Sequence, residues 1–523
     1  MQLSGYRSGF GLATRSVARK MQHPMKLHQT TPPLERRRVV VPDRAQSCRT
    51  EGFSRQQLKR LENRHSDCDG SAMTTLPKTS APTQSIPRRQ FIKSAAVAGT
   101  GLSILPSGAL AGPEAPSNKL NVAIIGAGGR GRAHFGAVRN ENVVALCDIN
   151  EQTLAKAAKI FPGAKHYVDW RKCLDQKDID AVICSTTDHT HAFISNWALN
   201  RGMHVYCEKP LANCVKEARV VRANYLKNKD KVATQVGMQR RTNPNFDRVR
   251  EAILDGAVGT LKHVHVWGNR KHDKTGYLPA SGEPPAHLHY DLWIGPSPWH
   301  PYNPGYFRGG CLSWNMYWDF GSWQVGDMGS HTMDLAWNAI DAGLPTSAQA
   351  HGDPVNSDVA PSALTMTFDH PANDWRPAIK VTWYQGSHKP SVLADGVPTK
   401  PGHGALFEGD KACLVTEFHR HEFFPRDKNA GMAHYKPRRE SKRIPPIGGF
   451  QAQWVNACKG DLKTSSNFDY SGTMIEQMLL GLVAYRVGKK VEYDGAAGRI
   501  TNDVAANELL SRKYRKGWNL DES

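Results

Sequence analysis

The chain has no long apolar run and no paired-cysteine framework. A membrane-spanning helix needs about 20 apolar residues, whereas the weakly apolar stretch 95–105 is short and Gly-rich. The ten cysteines are scattered, eight of them after residue 111. None forms a Cys-x-x-Cys pair with a second pair at zinc spacing, which argues against a zinc module. Cys147, Cys184 and Cys207 end apolar runs, where a buried thiol behaves as a small hydrophobe. Free thiols are expected rather than disulfides. There is no internal repeat. Acidic residues are in the minority, 48 against 68 Lys and Arg, for a net charge of +20. Residues 1–111 hold 18 Lys and Arg against 6 Asp and Glu, or +12 of that total, leaving +8 for the rest. The basic balance therefore belongs to a leader and does not imply a nucleic-acid surface.

Residues 1–84 lack periodicity and are rich in Arg, Gln, Ser and Pro. They are expected to be a disordered or untranslated leader, with Met73 a candidate start. Residues 85–111 contain Pro87-Arg88-Arg89-Gln90-Phe91-Ile92-Lys93, the apolar stretch, and Ala109-Leu110-Ala111. This order is that of a twin-arginine export signal with a small-x-small cleavage site. The expectation is a protein handed to the twin-arginine translocation machinery and exported to the bacterial periplasm or another extracytoplasmic space.

A short Gly/Pro/Ser linker leads into a strand–helix rhythm. Strands are predicted at 122–125, 143–147, 181–184, 204–207 and 232–236, and helices at 131–139, 151–160, 191–200 and 211–228. Short apolar strands alternating with helices predict an α/β domain, a doubly wound parallel sheet of Rossmann type, over 118–240. The pattern then changes. Strands at 261–267, 364–368, 379–384, 405–407 and 413–416 flank a loop-rich, aromatic stretch at 272–326. Helices are predicted at 327–340 and, amphipathic, at 474–487. Residues 241–505 thus read as a C-terminal α+β domain on a mostly antiparallel sheet.

Gly126-x-Gly128-x-x-Gly131 follows a strand and opens a helix. Gly126 permits the tight turn, Gly128 lets the backbone approach a pyrophosphate, and Gly131 allows close helix–strand packing. Gly129 and Arg130 lie in the same loop. Asp148 closes the second strand, 20 residues after Gly128. A carboxylate there accepts hydrogen bonds from both ribose hydroxyls and repels a 2′-phosphate, which favours NAD over NADP. The loop 185–191, with Thr186, Thr187 and His191, follows a strand whose carboxyl end faces the ligand side of such a sheet. His189 and His191 lack a third and fourth ligand nearby, so no metal site is assigned. Glu208-Lys209-Pro210 ends the strand 204–207. Proline turns the chain there. Lys209 either faces the cofactor cleft, able to polarise a substrate oxygen, or is a surface Lys. Asp327 and His331, at i and i+4, share a helix face with Asp334. They are either a proton-transfer pair or an N-cap and a buried His.

Taken in this order, the elements Gly126–Gly131, Asp148, 186–191, Glu208-Lys209-Pro210 and Asp327 through His331 to Asp334 resemble the glucose–fructose oxidoreductase / inositol dehydrogenase / rhizopine-catabolism (Gfo/Idh/MocA) family. The resemblance covers roughly residues 118–500. It implies an N-terminal NAD(P)-binding Rossmann domain and a C-terminal domain whose open sheet lines the substrate site and often an oligomer interface, so a homo-oligomer, dimer or tetramer, is expected. It implies Lys209, Asp327 and His331 as catalytic residues. Gly126, Gly128, Gly129, Arg130, Gly131, Asp148, Thr186, Thr187, His191, Glu208 and Lys209 are the expected cofactor-side set. His331 would remove a hydroxyl proton from a sugar or polyol while Lys209 hydrogen-bonds the same oxygen. Two alternatives stand beside this oxidoreductase. One is an NAD-dependent glycoside hydrolase that works by transient oxidation and elimination; the other is a non-catalytic ligand-binding protein of the same fold. Tyr302, Tyr306, Trp314 and Trp318 either stack on a sugar or pack their loop. Arg240 and Arg241 either line the cleft or bridge the domains. An exported protein meets little free NAD, so a tightly held cofactor is expected.

Overall fold

The computed structural model describes residues 118–390 and 402–521. The expected leader (1–84) and export signal (85–111) lie outside these residues. The first sheet consists of β1 (Asn121–Ile125), β2 (Asn142–Cys147), β3 (Lys165–Tyr167), β4 (Ala181–Cys184), β5 (His204–Cys207) and β6 (Thr234–Val236). Its order is β3-β2-β1-β4-β5-β6, and the pairs run parallel. All of β4 and nearly all of β1 and β5 are buried, as in a parallel sheet covered on both faces. Two of its short helices start on side-chain caps. Asn150 accepts from the backbone N–H groups of Gln152 and Thr153, and Asp169 accepts from that of Arg171.

One expected element is different. The helix predicted at 131–139 is only a 3-10 turn, Gly131–His134. Residues 126–136 include five glycines, each about 1 kcal/mol less favourable than Ala in a helix. The backbone closes i→i+3 bonds instead, from Gly131 N–H to the Gly128 carbonyl (2.7 Å) and from Ala133 N–H to that of Arg130 (3.0 Å). The ring of His134 meanwhile hydrogen-bonds Glu208 (3.0 Å).

The second sheet contains β7 (Leu261–Gly268), β8 (Ser347–Gly352), β9 (Leu364–His370), β10 (Ile379–Gln385), β11 (His403–Gly409), β12 (Ala412–Thr416), β13 (His421–Pro425), β14 (Val491–Asp494) and β15 (Arg499–Ile500). The order is β13-β12-β11-β7-β10-β9-β8-β14-β15. β7 and β10 run parallel and the other pairs antiparallel. The buried helix Met328–Ala339 packs on β7 and β11. Side chains alternate across a strand, and the sheet's two faces enter separate apolar clusters. Val264, Val266 and Phe407 join the main core, whereas Trp267, Tyr384 and Leu406 form a smaller one.

The last long helix, Phe468–Val487, starts earlier than the predicted 474, because the Asn467 side chain caps it. It is buried nearly all round rather than on one stripe. It lies between the second sheet and the helix Val215–Asn228 of the first domain, so more than one face meets protein. Further contacts join the two halves. Trp454 packs on Tyr206. Arg241 is buried against Asp334 (3.0 Å) and Tyr470 (2.7 Å), and so bridges rather than lines the cleft. The C-terminal stretch returns to the first domain, where Tyr514 and Trp518 pack on Phe193 and the Arg512 guanidinium donates to the His189 carbonyl (2.7 Å). Among the described residues no helix is long and apolar enough to cross a membrane.

Candidate active site

A cavity of about 480 Å³ opens at the carboxyl ends of β1, β4 and β5, bounded on the other side by Asp327, Met328 and His331. Ligands in open α/β sheets sit at this edge. The glycine loop forms one wall. Gly126 has φ of 83°, and a Cβ there would stand 2.5 Å from the Ser185 carbonyl oxygen. A Cβ on Gly131 would stand 1.8 Å from the Gly126 oxygen. Gly131 therefore serves close packing beneath the loop, while Gly126, Gly128, Gly129 and Arg130 face the cavity. Asp148 shares this wall and accepts from the backbone N–H groups of Gly128 (3.0 Å) and Asn150 (2.9 Å). Burial raises its pKa against the pull of these bonds. A loop bare of side chains at its glycines, with a carboxylate at the end of β2, fits a dinucleotide.

Glu208 ties this wall to the end of β5. It is 4 % exposed and accepts from Arg130 Nε (2.8 Å) and the His134 ring (3.0 Å). Burial opposes its charge, but His134 and Arg130 prevail and hold its pKa at about 2. Glu208 is thus an anionic anchor for the glycine loop. It also takes the Nε–H of Arg130, the one guanidinium in that loop.

The 185–191 segment forms the floor. Thr186, Thr187 and His191 line the cavity, and Thr186 Oγ1 is 2.7 Å from Thr190 Oγ1. His191 Nδ1 meets the Pro210 carbonyl (2.7 Å) and its Nε2 the Thr186 carbonyl (3.2 Å). Both partners are acceptors, a pattern only the imidazolium satisfies. Burial works against that charge, yet Cys184, Asp188 and the two carbonyls raise the pKa. His189 points away, its Nε2 donating to the Trp293 carbonyl (2.8 Å).

Lys209, Asp327 and His331 come together in the same cavity although 118 residues separate the first two. Asp327 occupies the N-cap position of Met328–Ala339, but its side chain makes no capping bond among the described residues. One carboxylate oxygen instead accepts from Lys209 Nζ and the other from Arg270 Nη1. Burial opposes ionisation of Asp327, but the two cations hold its pKa below the usual range. Burial likewise opposes the charge on Lys209, and Asp327 overcomes it, raising the pKa. Burial, then the Lys209 ammonium, push His331 down to about 3, so it is neutral near pH 7. Its Nδ1 finds no partner among the described residues.

Arg270 and Asp188 also line this cavity. Arg270 follows the end of β7 and carries no motif; only the fold brings it to Asp327. Asp188 stands inside the recognised loop, and an acid on the ligand side was the available signal. Burial, with the Asp327 charge nearby, raises its pKa to about 7 despite His191 and Lys209. Of the aromatic candidates, Trp314 lines the cavity, together with Trp293. Tyr306 is fully buried in the loop's own core with Trp293, Tyr317 and Phe320. Trp318 donates from Nε1 to the Asn356 carbonyl (3.0 Å), and Tyr302 packs on Tyr290 and Phe307. Most of this loop's aromatics hold the loop together. Arg240 lines the cavity.

Fold and cavity together define a two-domain protein of the dinucleotide-binding class, with a Rossmann-type sheet and a mixed-sheet partner domain. Residues 120–237 match the family described as "Oxidoreductase family, NAD-binding Rossmann fold", and residues 260–370 match "Oxidoreductase family, C-terminal alpha/beta domain". Both matching models are those of the Gfo/Idh/MocA oxidoreductase family, to which these two segments are similar. Among curated relatives, an inositol 2-dehydrogenase of Saccharopolyspora erythraea is 31% identical over 166 residues, 31% of this chain and 47% of that protein. A levoglucosan dehydrogenase of Pseudarthrobacter phenanthrenivorans is 33% identical over 154 residues, 27% of this chain and 39% of that protein. The chain thus spans about half the length, or less, of the curated relatives it matches. Among solved structures, the WlbA dehydrogenase of Bordetella pertussis, in complex with NADH and UDP-GlcNAcA, aligns with a TM-score of 0.51 at 17% identity, over 72% of this chain and 99% of that one. An NAD-binding protein of Listeria innocua aligns with a TM-score of 0.50 at 16% identity, over 72% and 100% of the two chains. These likenesses carry the fold.

Proposed function

We propose that this protein is an NAD-dependent oxidoreductase acting on a CH–OH group of a sugar, polyol or sugar derivative. The observation that carries the reading is the Lys209–Asp327–Arg270 ion triad beside neutral His331, in one cavity with the glycine loop and Asp148. The names of the curated relatives, dehydrogenases of inositol and levoglucosan, support the substrate class. A bound nicotinamide supplies the hydride acceptor in oxidation and the donor in reduction. The chain's residues do the rest. Neutral His331 has a free lone pair and takes the hydroxyl proton. Its low basicity requires that transfer to accompany loss of the C–H hydride rather than precede it. Lys209, kept charged by Asp327, donates to the same oxygen and stabilises the negative charge that builds there. Arg270 holds the second oxygen of Asp327 and so fixes the orientation of Lys209.

NAD is favoured over NADP because Asp148 would repel a 2′-phosphate and Arg130 is engaged by Glu208. The protein is further proposed to be exported with NAD bound, on the strength of Arg88-Arg89 and the Ala-x-Ala site, and to work as a homo-oligomer. The test is to denature the purified protein and assay the released nucleotide. Polyols, free sugars and nitrophenyl glycosides are then offered while the reduced-nicotinamide absorbance is followed. Reduction by a polyol or sugar, abolished in Lys209→Ala, is the expected result. Nitrophenol release without net reduction would replace this reading with the glycoside hydrolase. Absence of both activities and of bound nucleotide would favour a non-catalytic binder.

A further inference from the structure

The face of the second sheet that bears Trp267, Tyr384 and Leu406 carries a cluster the active site does not use. His263 and His265 stand two apart on β7 and so share a face. Their rings stack with centroids 3.9 Å apart. Glu408, on the neighbouring β11, lies directly across from His263 in the strand register. One ligand atom from each of the three lies within 4.8 Å of the other two. This face is opposite the one that bears Val264, Val266 and the helix Met328–Ala339, and the three residues stand apart from those lining the catalytic cavity.

We propose that His263, His265 and Glu408 form a binding site for a divalent first-row transition ion, with Zn²⁺ the fitting case. Two imidazoles and a carboxylate are a donor set that suits Zn²⁺. Each neutral imidazole has one ring nitrogen with a lone pair to offer an ion. Glu408 adds a carboxylate oxygen to the set. The supporting bonds are already in place. Tyr384 Oη is 3.0 Å from His265 Nδ1, and Thr382 Oγ1 is 2.8 Å from His263 Nε2. Arg426 takes the other Glu408 oxygen at 2.7 Å, which leaves Oε2 toward His265 Nε2 at 3.3 Å. Such outer partners fix ring orientation in metal sites. When the ion takes His265 Nε2, the single ring proton moves to Nδ1, which then donates to Tyr384 Oη. Ligand atoms on a tetrahedral Zn²⁺ are about 3.4 Å apart, so side-chain rotation closes the set around the ion and a water completes it. His263 and Glu408 are only half-buried, so the ion has an entry path. A rival trio, Cys184, His191 and Cys207, is equally compact, but both ring nitrogens of His191 are already spent on carbonyls.

The test uses the full purified chain without an affinity tag, stripped with chelator and titrated with Zn²⁺ and with Co²⁺. One ion per chain is expected, with Co²⁺ visible bands that lack a thiolate charge-transfer component. His265→Gln and Glu408→Gln are each expected to weaken Zn²⁺ binding by at least about 10-fold, the lower end for loss of a supporting partner alone. Cys184→Ser combined with Cys207→Ser is expected to leave it unchanged. Equal thermal midpoints of wild type and variants in chelator confirm that folding is intact. If His265→Gln does not fold, the more exposed Glu408→Gln decides. Sub-stoichiometric binding by the wild type, a thiolate charge-transfer band, or unchanged affinity in a folded ligand variant each overturns the proposal.

Discussion

Replacing Asp327 by Asn keeps the shape of the side chain and removes one charge, so it isolates what the carboxylate does. In the native protein Asp327 is 4 % exposed and joins Lys209, 15 % exposed, to Arg270, 36 % exposed. Without it two cations share a cavity wall. Breaking a buried pair by removing one partner costs about 3–5 kcal/mol. The exposure of Arg270 screens its half, which places the expected loss near the lower end, about 3 kcal/mol at pH 7. An upper bound follows from Lys209 itself. The fold can discharge it, and moving a Lys from an unfolded pKa of about 10.4 to neutrality at pH 7 costs roughly 5 kcal/mol. The sign of the pH dependence then reverses between the two proteins. In wild type the Lys209 pKa is raised, so its contribution is complete below about 10.4 and is lost as pH rises through the folded value. In Asp327→Asn the native Lys209 binds fewer protons than the unfolded one, so the variant gains stability as pH rises from 7 to 10. Urea unfolding followed by Trp fluorescence at several pH values measures both effects. Lys209→Met is the control. It leaves Asp327 paired with Arg270 and is expected to cost less than the Asn variant while lowering turnover by about 10²–10⁴-fold. An Asp327→Asn variant as stable as wild type at pH 7, or a deficit that does not change between pH 7 and 10, would refute the account.

Three further outcomes are expected. His189, His331 and His370 are buried and held neutral, their pKa values lowered by burial to about 3, 3 and 4. Each folded value lies below the unfolded 6.5, so the unfolded chain gains these protons first and stability falls as pH drops from 6.5 towards 4. Asp188, raised to about 7, acts in the opposite sense over that range and offsets one of them. These groups together should give a slope of about 3 kcal/mol per pH unit near pH 5; a flat denaturation midpoint between pH 6.5 and 5 would count against neutral burial. Gly131→Ala places a Cβ 1.8 Å from a backbone oxygen that cannot swing aside, so nucleotide retained per chain should drop to background. Wild-type retention would show that the loop is not packed this tightly. Asp148→Asn keeps an acceptor for Gly128 N–H but removes the charge, so the NADP-to-NAD affinity ratio should rise about tenfold, a difference of about 1.4 kcal/mol. An unchanged ratio in titrations with both nucleotides would detach Asp148 from cofactor choice.

Much of the first domain is legible in the chain because its signals are local. Short apolar strands report burial on both faces, and Gly126-x-Gly128-x-x-Gly131 reports a backbone that cannot carry side chains. The same local logic failed just beyond it. The glycines that shape the loop also weaken the helix expected to follow, and Glu208, 74 residues from His134, helps to settle that segment as a 3-10 turn. Lys209, Asp327 and His331 were each ambiguous from spacing, since a strand-end Lys or a helix-start Asp is as readily structural as functional. What brings them together is the crossing of the second domain over the first sheet, which sets Asp327 on Lys209 rather than on its own helix N-terminus. Arg270, and Glu408 beside His265 across 143 residues, carry no local signal. Their partners are chosen by strand order and register. By itself the chain determines where backbone is turned, buried or left bare, because those preferences act between neighbours. Which charges meet is decided only by tertiary structure, because Coulomb and hydrogen-bond terms depend on distances that the fold creates.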